Sequence, residues 1–191
     1  METGAEGTPN QDRDAALALV SRLRSGDSDA AGLLDELYRG ALTRFCWGYL
    51  GSMEESEDAL QDIWFKILTA SHVPDAFRPW VYKIARNHCL NLLRSRAKRK
   101  DGQALPAASQ LEAFLTGQLT RLVKDETRSR LNELVAKLSG QQRETLRLRY
   151  VEGLSRVEIA DVLEIPASVV KSRLFEGLKK LRDHASLLEG L

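Results

Sequence analysis

The chain contains few of the residues that build metal centres, disulfide frameworks or membrane spans. Its 191 residues include only two cysteines and three histidines, and their spacing does not match a metal site. No apolar run approaches the roughly 20 residues that cross a bilayer, and the N-terminal stretch METGAEGTPNQDRDAA is polar and acidic, unlike a signal peptide. We therefore expect a cytoplasmic protein in which Cys46 and Cys89 are buried free thiols.

Signatures of catalysis and of β-structure are also missing. The sequence has no glycine-rich phosphate loop and no arrangement of serine, histidine and acid that indicates a nucleophile. We therefore predict no catalytic residue, no bound metal and no cofactor, and we expect that the protein is not an enzyme. No segment alternates apolar and polar residues convincingly, whereas most segments repeat apolar residues with the helical period. The predicted fold class is all-α.

Acidic side chains are absent from one central segment, although the net charge of the whole chain is only +1. Residues 78–100 carry 8 basic and no acidic side chains, whereas residues 1–72 carry 13 acidic and 6 basic ones. Residues 101–191 are nearly balanced, with 14 basic and 13 acidic side chains. Separation of charge on this scale favours two different partner surfaces.

The helical patterns divide the chain into two helical domains joined by a flexible linker. The first domain is predicted over residues 14–100 and the second over 125–191, with a disordered N-terminus at 1–13 and a linker of loop composition at 101–124. Predicted helices cover 14–24, 29–50, 54–70, 79–100, 125–138, 140–151, 155–163 and 167–184. Pro79 fits the first turn of its helix, where proline is tolerated.

The third predicted helix has an acidic face with an aromatic side chain at its edge. Its apolar face contains Leu60, Ile63, Trp64, Ile67 and Leu68, and its other sides carry Glu57, Asp58, Gln61, Asp62 and Phe65. An acidic helix face is commonly solvated surface, but it also suits a basic or coiled-coil partner. The segment by itself leaves both interpretations open.

The fourth predicted helix, FRPWVYKIARNHCLNLLRSRAKRK, concentrates cations. Eight basic side chains without one carboxylate repel each other unless a polyanion supplies the countercharge. Asn87 and the nearby aromatic residues add groups that can hydrogen-bond to exposed bases or stack on them. A solvated charged face normally mixes both signs, so this helix favours a nucleic-acid partner.

Residues 153–183 have the pattern of a helix–turn–helix. Ser155 and Glu158 form a capping box before an apolar stripe that includes Val157 and Ile159, and Pro166 ends that helix. The second helix has one apolar face of Val170, Leu174, Leu178 and Leu181, and an opposite face of Lys171, Ser172, Phe175, Glu176 and Lys179. A basic second helix is typical of recognition helices in the DNA major groove, although helical hairpins of other all-α proteins show similar spacing.

These motifs together resemble one family. SEDALQDIWFKIL, then FRPWVYKIARNHCLNLLRSRAKR, then LVAKLSGQQRETLRLRYVEGLSRVEIADVLEIPASVVKSRLFEGLKKLR resemble the bacterial extracytoplasmic-function sigma factors, over residues 14–184. The resemblance implies a non-catalytic subunit of RNA polymerase, an alternative sigma factor that directs promoter recognition, DNA melting and transcription initiation. The alternative is a stand-alone helix–turn–helix transcription regulator, which explains the C-terminal motif equally well but explains the carboxylate-free helix poorly.

The resemblance also implies a role for each motif. Sigma region two would bind the clamp helices of the largest polymerase subunit through Asp58, Gln61, Asp62 and Phe65. Its loop and basic helix would capture the −10 element as a single strand through Arg78, Trp80, Lys83, Arg86, Asn87 and Arg94, with Asn87 at the position that contacts a flipped base. Sigma region four would bind the −35 duplex through Arg149, Ser155, Ser168, Lys171, Ser172, Arg173, Phe175 and Glu176.

Two positions depart from the family pattern. Ser168-Val169 stands where Gly-Thr is frequent, and Glu176 occupies a position that is often basic in relatives. The Glu176 carboxylate either accepts from a cytosine amino group or pairs with Lys179 or Lys180 on the helix surface, and we favour the surface pair. The family further implies an anti-sigma protein and a linker that follows the polymerase's active-site path, but no residue identifies the anti-sigma protein, the stimulus or the promoter.

Overall fold

The computed structural model describes residues 9–99, 135 and 137–189, with side chains over 16–98, 135 and 137–183. Within these ranges the chain is helical, which confirms the all-α prediction. The helices are α1 (Pro9–Arg24), α2 (Ser28–Leu50), α3 (Met53–Leu68), α4 (Phe77–Arg99), α5 (Gly140–Tyr150), α6 (Arg156–Leu163) and α7 (Ala167–Glu189). The predicted linker and most of the predicted helix 125–138 lie outside the described residues.

Helices α1 to α4 form one bundle around the long central helix α2. Leu34, Leu42 and Phe45 of α2 are fully buried, and Ile63 and Ile67 of α3 are buried against them. Helix α2 packs against α1, α3 and α4. Each helix buries one apolar face and leaves its charged side outside, which is the arrangement that the helical period predicts.

Sharp turns between the helices have local causes. Gly51 ends α2 in the left-handed region at φ 73°, where glycine carries no Cβ penalty, and its amide donates to the carbonyl of Trp47. Ser52 then caps α3 by accepting a hydrogen bond from the amide of Glu55. This short connection makes α2 and α3 antiparallel neighbours.

Helix α4 crosses the bundle with its apolar side inward and its cations outward. Val81, Ala85 and Cys89 recur every fourth residue and are fully buried. Pro79 lies in the first turn, as predicted. Cys46 and Cys89 are both buried and free, which confirms that expectation.

Helices α6 and α7 form the predicted helix–turn–helix, and α5 packs against both of them. Ser139 caps α5 and Ser155 caps α6, each in a complete capping box. Helix α6 ends at Leu163, and the φ of 55° at the following residue, Glu164, turns the chain sharply toward Pro166 and α7. Leu146 of α5 packs closely against α7, since a Cβ added at Gly177 would meet its Cδ1 at 2.9 Å.

The two halves of the chain pack against each other. Helix α6 lies along α4, and the buried apolar residues of both halves form one cluster. The contacts that join the halves include several charged side chains of α4 and α5, which are described below. None of the helices in the described part of the chain is long and apolar enough to span a membrane.

Three predictions about helix ends and faces are wrong. Helix α1 begins at Pro9, so residues 9–13 are helical rather than disordered, and proline suits this first helical position. Val157 is 65% exposed, since it lies in the first turn of α6 and Ile159 faces the core instead. Leu68, the last residue of α3, is 52% exposed.

Candidate nucleic-acid interface

The acidic face of α3 forms an exposed strip. Asp58, Gln61 and Asp62 are all exposed, and Phe65 is 68% exposed beside them. Spacings of three and four residues place these side chains on neighbouring turns. Exposed Leu68 extends the apolar end of the strip. Aromatic residues are enriched at protein interfaces relative to the rest of the surface. The strip is therefore better suited to contact a protein partner than to stay solvated.

The cations of α4 fall into two groups. Arg94 is exposed and donates to Oδ1 of Asn91 at 2.9 Å, and Asn87 on the same helix is also exposed. Arg78, Lys83 and Arg86 are instead partly buried against the C-terminal half. The structure therefore leaves one part of the predicted −10 surface open and covers the other part.

Arg86 makes a bidentate contact between the halves. Its Nε and Nη2 donate to the two carboxylate oxygens of Glu144 in α5 at 2.8 and 3.2 Å. Tyr49 of α2 donates to the same carboxylate at 2.5 Å. Burial disfavours the charged guanidinium, but the hydrogen bonds and charge of Glu144 outweigh burial and raise the pKa of Arg86 above its ordinary value. Bidentate pairs of this kind are among the stronger polar contacts in proteins.

Lys83 and Arg78 are paired with other carboxylates and carbonyls of the C-terminal half. Lys83 Nζ lies 2.7 Å from the carboxylate of Glu164, and this ion pair lowers the pKa of Glu164. Arg78 donates to the main-chain carbonyl of Glu152 and lies 3.9 Å from the carboxylate of Glu158. The three α4 cations therefore contact carboxylates or carbonyls where phosphates were predicted.

A buried ion pair adds to the contacts that join α2 and α4 to the C-terminal half. We call this set of contacts the seam. Arg147 and Glu152 are 2% and 3% exposed at the side chain and lie 3.4 Å apart. Arg147 also donates to the carbonyls of Arg44 and Phe45 in α2, at 3.1 and 3.0 Å. Tyr82 of α4 donates to Glu152 at 3.1 Å, and burial raises the pKa of the Glu152 carboxyl. The pair thus ties α5 to both α2 and α4.

A cavity of about 500 Å³ opens where the loop before α4 meets the turn between α6 and α7. Its lining includes Pro74, Trp80 and Lys83 from the first half, and Glu164 and Pro166 from the second. Trp80, a predicted −10 contact, is partly buried here. The loop and the start of α4 therefore face the C-terminal half across this cavity.

The predicted recognition face of α7 is open. Ser168, Lys171 and Ser172 are exposed, Phe175 is 69% exposed, and Arg173 is partly exposed. Val170 and Leu174 on the opposite face are buried, as the spacing predicts. Helix α7 thus presents a row of polar groups with one aromatic ring, which matches the donors and apolar contacts that read base edges in a major groove.

Three further predicted contacts have local partners. Arg149 is exposed and donates to the carbonyl of Leu154 at 2.9 Å. The Ser155 hydroxyl accepts from the Glu158 amide as the cap of α6. Glu176 accepts from Ser172 at 2.9 Å and from Gln142 at 3.3 Å. These contacts hold Glu176 on the surface of the second domain, and the pair with Lys179 or Lys180 stays a prediction.

Sequence reasoning missed the carboxylates and tyrosines of the seam. Glu144 and Glu152 belong to a segment of nearly balanced charge and look like ordinary solvated residues. Tyr49 and Tyr82 fit the apolar register of their helices, so nothing marks their hydroxyls as donors. The role of these groups becomes visible only when α5 is seen buried against the first half of the chain. No local sequence pattern predicts that burial.

An all-α protein with a recognition-type helix–turn–helix and a separate basic helix defines a class of DNA-binding transcription proteins. Two family models match within that frame: Sigma-70 region 2 matches residues 34–99, and Sigma-70, region 4 matches residues 128–181. The first match contains α3 and α4, and the second contains the helix–turn–helix. The chain belongs to the sigma-70 family as an extracytoplasmic-function sigma factor.

Relatives agree with this assignment along most of the chain. The chain is 27% identical over 175 residues to the ECF RNA polymerase sigma factor SigW of Bacillus subtilis, covering 85% of the chain and 92% of SigW. It is 28% identical to the RNA polymerase sigma-H factor of Pseudomonas aeruginosa, covering 82% and 86% of the two chains. CnrH, solved in complex with the cytosolic domain of CnrY, shares the fold with a TM-score of 0.63 at 23% identity, covering 93% of this chain and 99% of CnrH.

Family membership establishes what the protein does. It is an alternative sigma factor that directs promoter recognition in transcription initiation, and it binds core RNA polymerase and promoter DNA. Sigma factors are not enzymes. A stand-alone regulator would not match both sigma regions, so that alternative is set aside.

Proposed function

We propose that the three polar surfaces of this sigma factor divide its work. Helix α3 docks on core polymerase, α4 holds the −10 element as a single strand, and α7 reads the −35 duplex. The observation that carries the proposal is the difference in charge between these surfaces. The α3 strip is acidic, α4 has cations and no carboxylate, and the exposed side of α7 mixes hydroxyls, cations and an aromatic ring.

The α3 strip would bind the clamp helices of the largest polymerase subunit. Asp58 and Asp62 would pair with cations of that coiled coil, and exposed Phe65 would enter an apolar site between them. The capped, well-packed α3 supports this role, because a rigid helix presents its side chains without further ordering cost.

Helix α4 would open the duplex by trapping one strand. Asn87 would hydrogen-bond to a base flipped out of the stack, and Lys83, Arg86 and Arg94 would hold neighbouring phosphates. Flipping a base costs a few kcal/mol of stacking, and the pocket contacts offset this cost without ATP. The spacing of these four residues along one helix supports binding to one continuous strand.

Helix α7 would enter the major groove of the −35 element. Lys171 and Arg173 would reach phosphates or guanine edges, and Phe175 would contact a thymine methyl group. Arg149 and Ser155 would add phosphate contacts from α5 and the start of α6. Ser155 already uses an oxygen lone pair as a cap, so its hydroxyl proton is the group left for DNA.

A protein that restrains the free sigma factor is a further proposed partner. CnrH, which has a similar fold, was solved in complex with the cytosolic domain of CnrY. The family resemblance points to an anti-sigma factor as the corresponding partner of this chain. The exposed Phe65 and Leu68 would give such a partner an apolar contact.

The docking proposal is tested by reversing charge on the α3 strip. Asp58→Lys and Asp62→Lys, made singly and together, remove two attractive charges and add two repulsive ones. At about 1 kcal/mol per reversed charge, the double variant should bind core polymerase at least about tenfold more weakly. The measurements are titration with core enzyme and run-off transcription from a promoter library.

The matched control is Glu36→Lys, which reverses an exposed acid on α2. It should leave both measurements unchanged, because α2 is not part of the proposed strip. Unchanged affinity of the double variant, or an equal loss in the control, contradicts the α3 assignment.

A further inference from the structure

The carboxylates of the C-terminal half contact α4 where DNA phosphates are proposed to bind. Arg86 is held by Glu144 in a bidentate pair, and Lys83 by Glu164 at 2.7 Å. Arg78 is held near Glu158 at 3.9 Å. Three of the four cations predicted to contact the single strand therefore have an internal acidic partner.

A carboxylate and a phosphate cannot occupy the same guanidinium fork together. Each presents two oxygen acceptors to the same Nε and Nη2 donors of arginine, so each contact excludes the other. The Arg86 side chain is only 20% exposed and that of Glu144 only 9%, which leaves no room for a phosphate beside the carboxylate. Binding of a strand at Arg86 requires α5 to move away.

The other proposed binding surfaces stay open in the same arrangement. Asp58, Asp62 and Phe65 on α3 are exposed, and so are Lys171 and Phe175 on α7. The packing of the two halves thus covers one DNA surface and leaves the duplex-reading surface and the polymerase-binding surface accessible.

The chemistry of the seam suits an interface that closes specifically and opens readily. Arg147 and Glu152 form an ion pair that is almost wholly buried. Such pairs contribute little net stability, because the cost of desolvation nearly cancels their attraction, whereas they can specify one arrangement. Charged groups that regain water on separation make opening less costly than separating a purely apolar interface.

We propose that Glu144, Glu158 and Glu164 form an internal latch that competes with single-stranded DNA for Arg86, Arg78 and Lys83. The closed chain can dock on polymerase and contact duplex DNA, but it cannot bind the opened strand until the two halves separate. The latch delays strand capture and leaves duplex contact unaffected. This inference rests on the proposed −10 role of α4.

The test uses the full chain without polymerase and the variants Glu144→Gln and Glu144→Gln/Glu164→Gln. Glutamine keeps the shape of glutamate but removes the charge that pairs with the α4 cations.

One measurement is the radius of gyration from small-angle X-ray scattering. The second is fluorescence anisotropy with a short labelled single strand of mixed sequence, and with the matching duplex. Glu36→Gln, at an exposed acid on α2, changes the net charge by the same single unit as Glu144→Gln and serves as its control.

We expect a larger radius of gyration for both latch variants and single-strand binding that is at least about tenfold tighter. A gain of this size follows when the open, binding-competent state rises from about a tenth of the population or less to most of it. Duplex binding should change less than about twofold, as for the control, because the α7 face is already open. An unchanged radius with unchanged single-strand affinity overturns the latch and leaves the proposed function intact.

A larger radius with unchanged single-strand affinity also overturns the latch as a competitor of DNA. Run-off transcription with core polymerase and Arg86→Ala then separates the two proposals. Lost transcription shows that Arg86 serves the promoter even though the latch does not regulate it, whereas full transcription contradicts the role of Arg86 itself.

Discussion

Arg86 and Asn87 are adjacent in the sequence but have different surroundings. Successive helix residues point about 100° apart, so one side chain meets α5 and its neighbour meets solvent. Arg86 is bound to Glu144, whereas Asn87 is exposed. Phosphate holding at Arg86 therefore depends on the arrangement of the halves, but base contact at Asn87 does not.

This difference gives a prediction for Asn87→Ala. The change removes an amide that can hydrogen-bond to a base edge, and such contacts contribute about 1–3 kcal/mol. We expect the rate of open-complex formation to fall about tenfold or more, while binding to the closed duplex is nearly unchanged. Permanganate footprinting measures the opened strand, and electrophoretic mobility shift measures closed binding.

Asn91→Ala provides the comparison, since Asn91 is an exposed amide one turn further along α4. Its effect on opening should be clearly smaller. Equal loss of opening and of closed binding in Asn87→Ala would refute the assignment of the flipped base to position 87.

Helix α5 shows how an element's role can differ from its composition. Its sequence GQQRETLRLRY has few apolar residues and looks like an exposed helix. Every residue from Gln142 to Leu148 is nevertheless buried, because α7 packs on one side and the first half of the chain covers the other. Arg143, Glu144 and Arg147 of α5 are therefore buried structural groups, whereas Arg149 near the end of the helix is exposed.

Helix α6 is the shortest helix described, so its cap matters. Ser155→Ala removes the oxygen that accepts from the Glu158 amide, and loss of such a cap costs about 1 kcal/mol of unfolding free energy. Ser168→Ala is the matched control, because Ser168 is exposed in the first turn of α7 and should change stability by less than about 0.5 kcal/mol. Urea unfolding followed by circular dichroism measures both. Equal stability of the two variants would contradict the capping role.

The whole molecule is held closed by contacts that cross from one half to the other. Arg147 donates to two carbonyls of α2 while it pairs with Glu152. Its guanidinium also lies 4.8 Å from the centre of the Phe45 ring, which adds a cation–π contact. One side chain thus joins helices from both sigma regions.

Arg147→Met should destabilise the closed molecule strongly. The variant leaves the Glu152 carboxylate buried without its cation, and breaking such a pair costs about 3–5 kcal/mol. Separating the halves returns the carboxylate to water and relieves this cost, so we expect both a lower unfolding free energy in urea and a larger radius in scattering. Arg149→Met, at an exposed arginine of the same helix, should have a much smaller effect. A similar result for both variants would mean that the buried pair does not hold the seam.

The helices, their caps and the helix–turn–helix could be predicted from local sequence, because these features depend on residues within a few positions of each other. The capping box at Ser155 and Glu158, the buried face of α7 and the cation-rich α4 all follow from local spacing. These motifs also sufficed to place the chain among the sigma factors.

The pairing of the α4 cations with particular carboxylates of the C-terminal half could not be predicted from local sequence. Arg86 and Glu144 are 58 residues apart in the chain, and Tyr49 and Glu144 are 95 apart. Helical periodicity relates residues within one helix, whereas these contacts depend on how two separately patterned halves pack. The same long-range packing buries α5 and covers part of the predicted −10 surface.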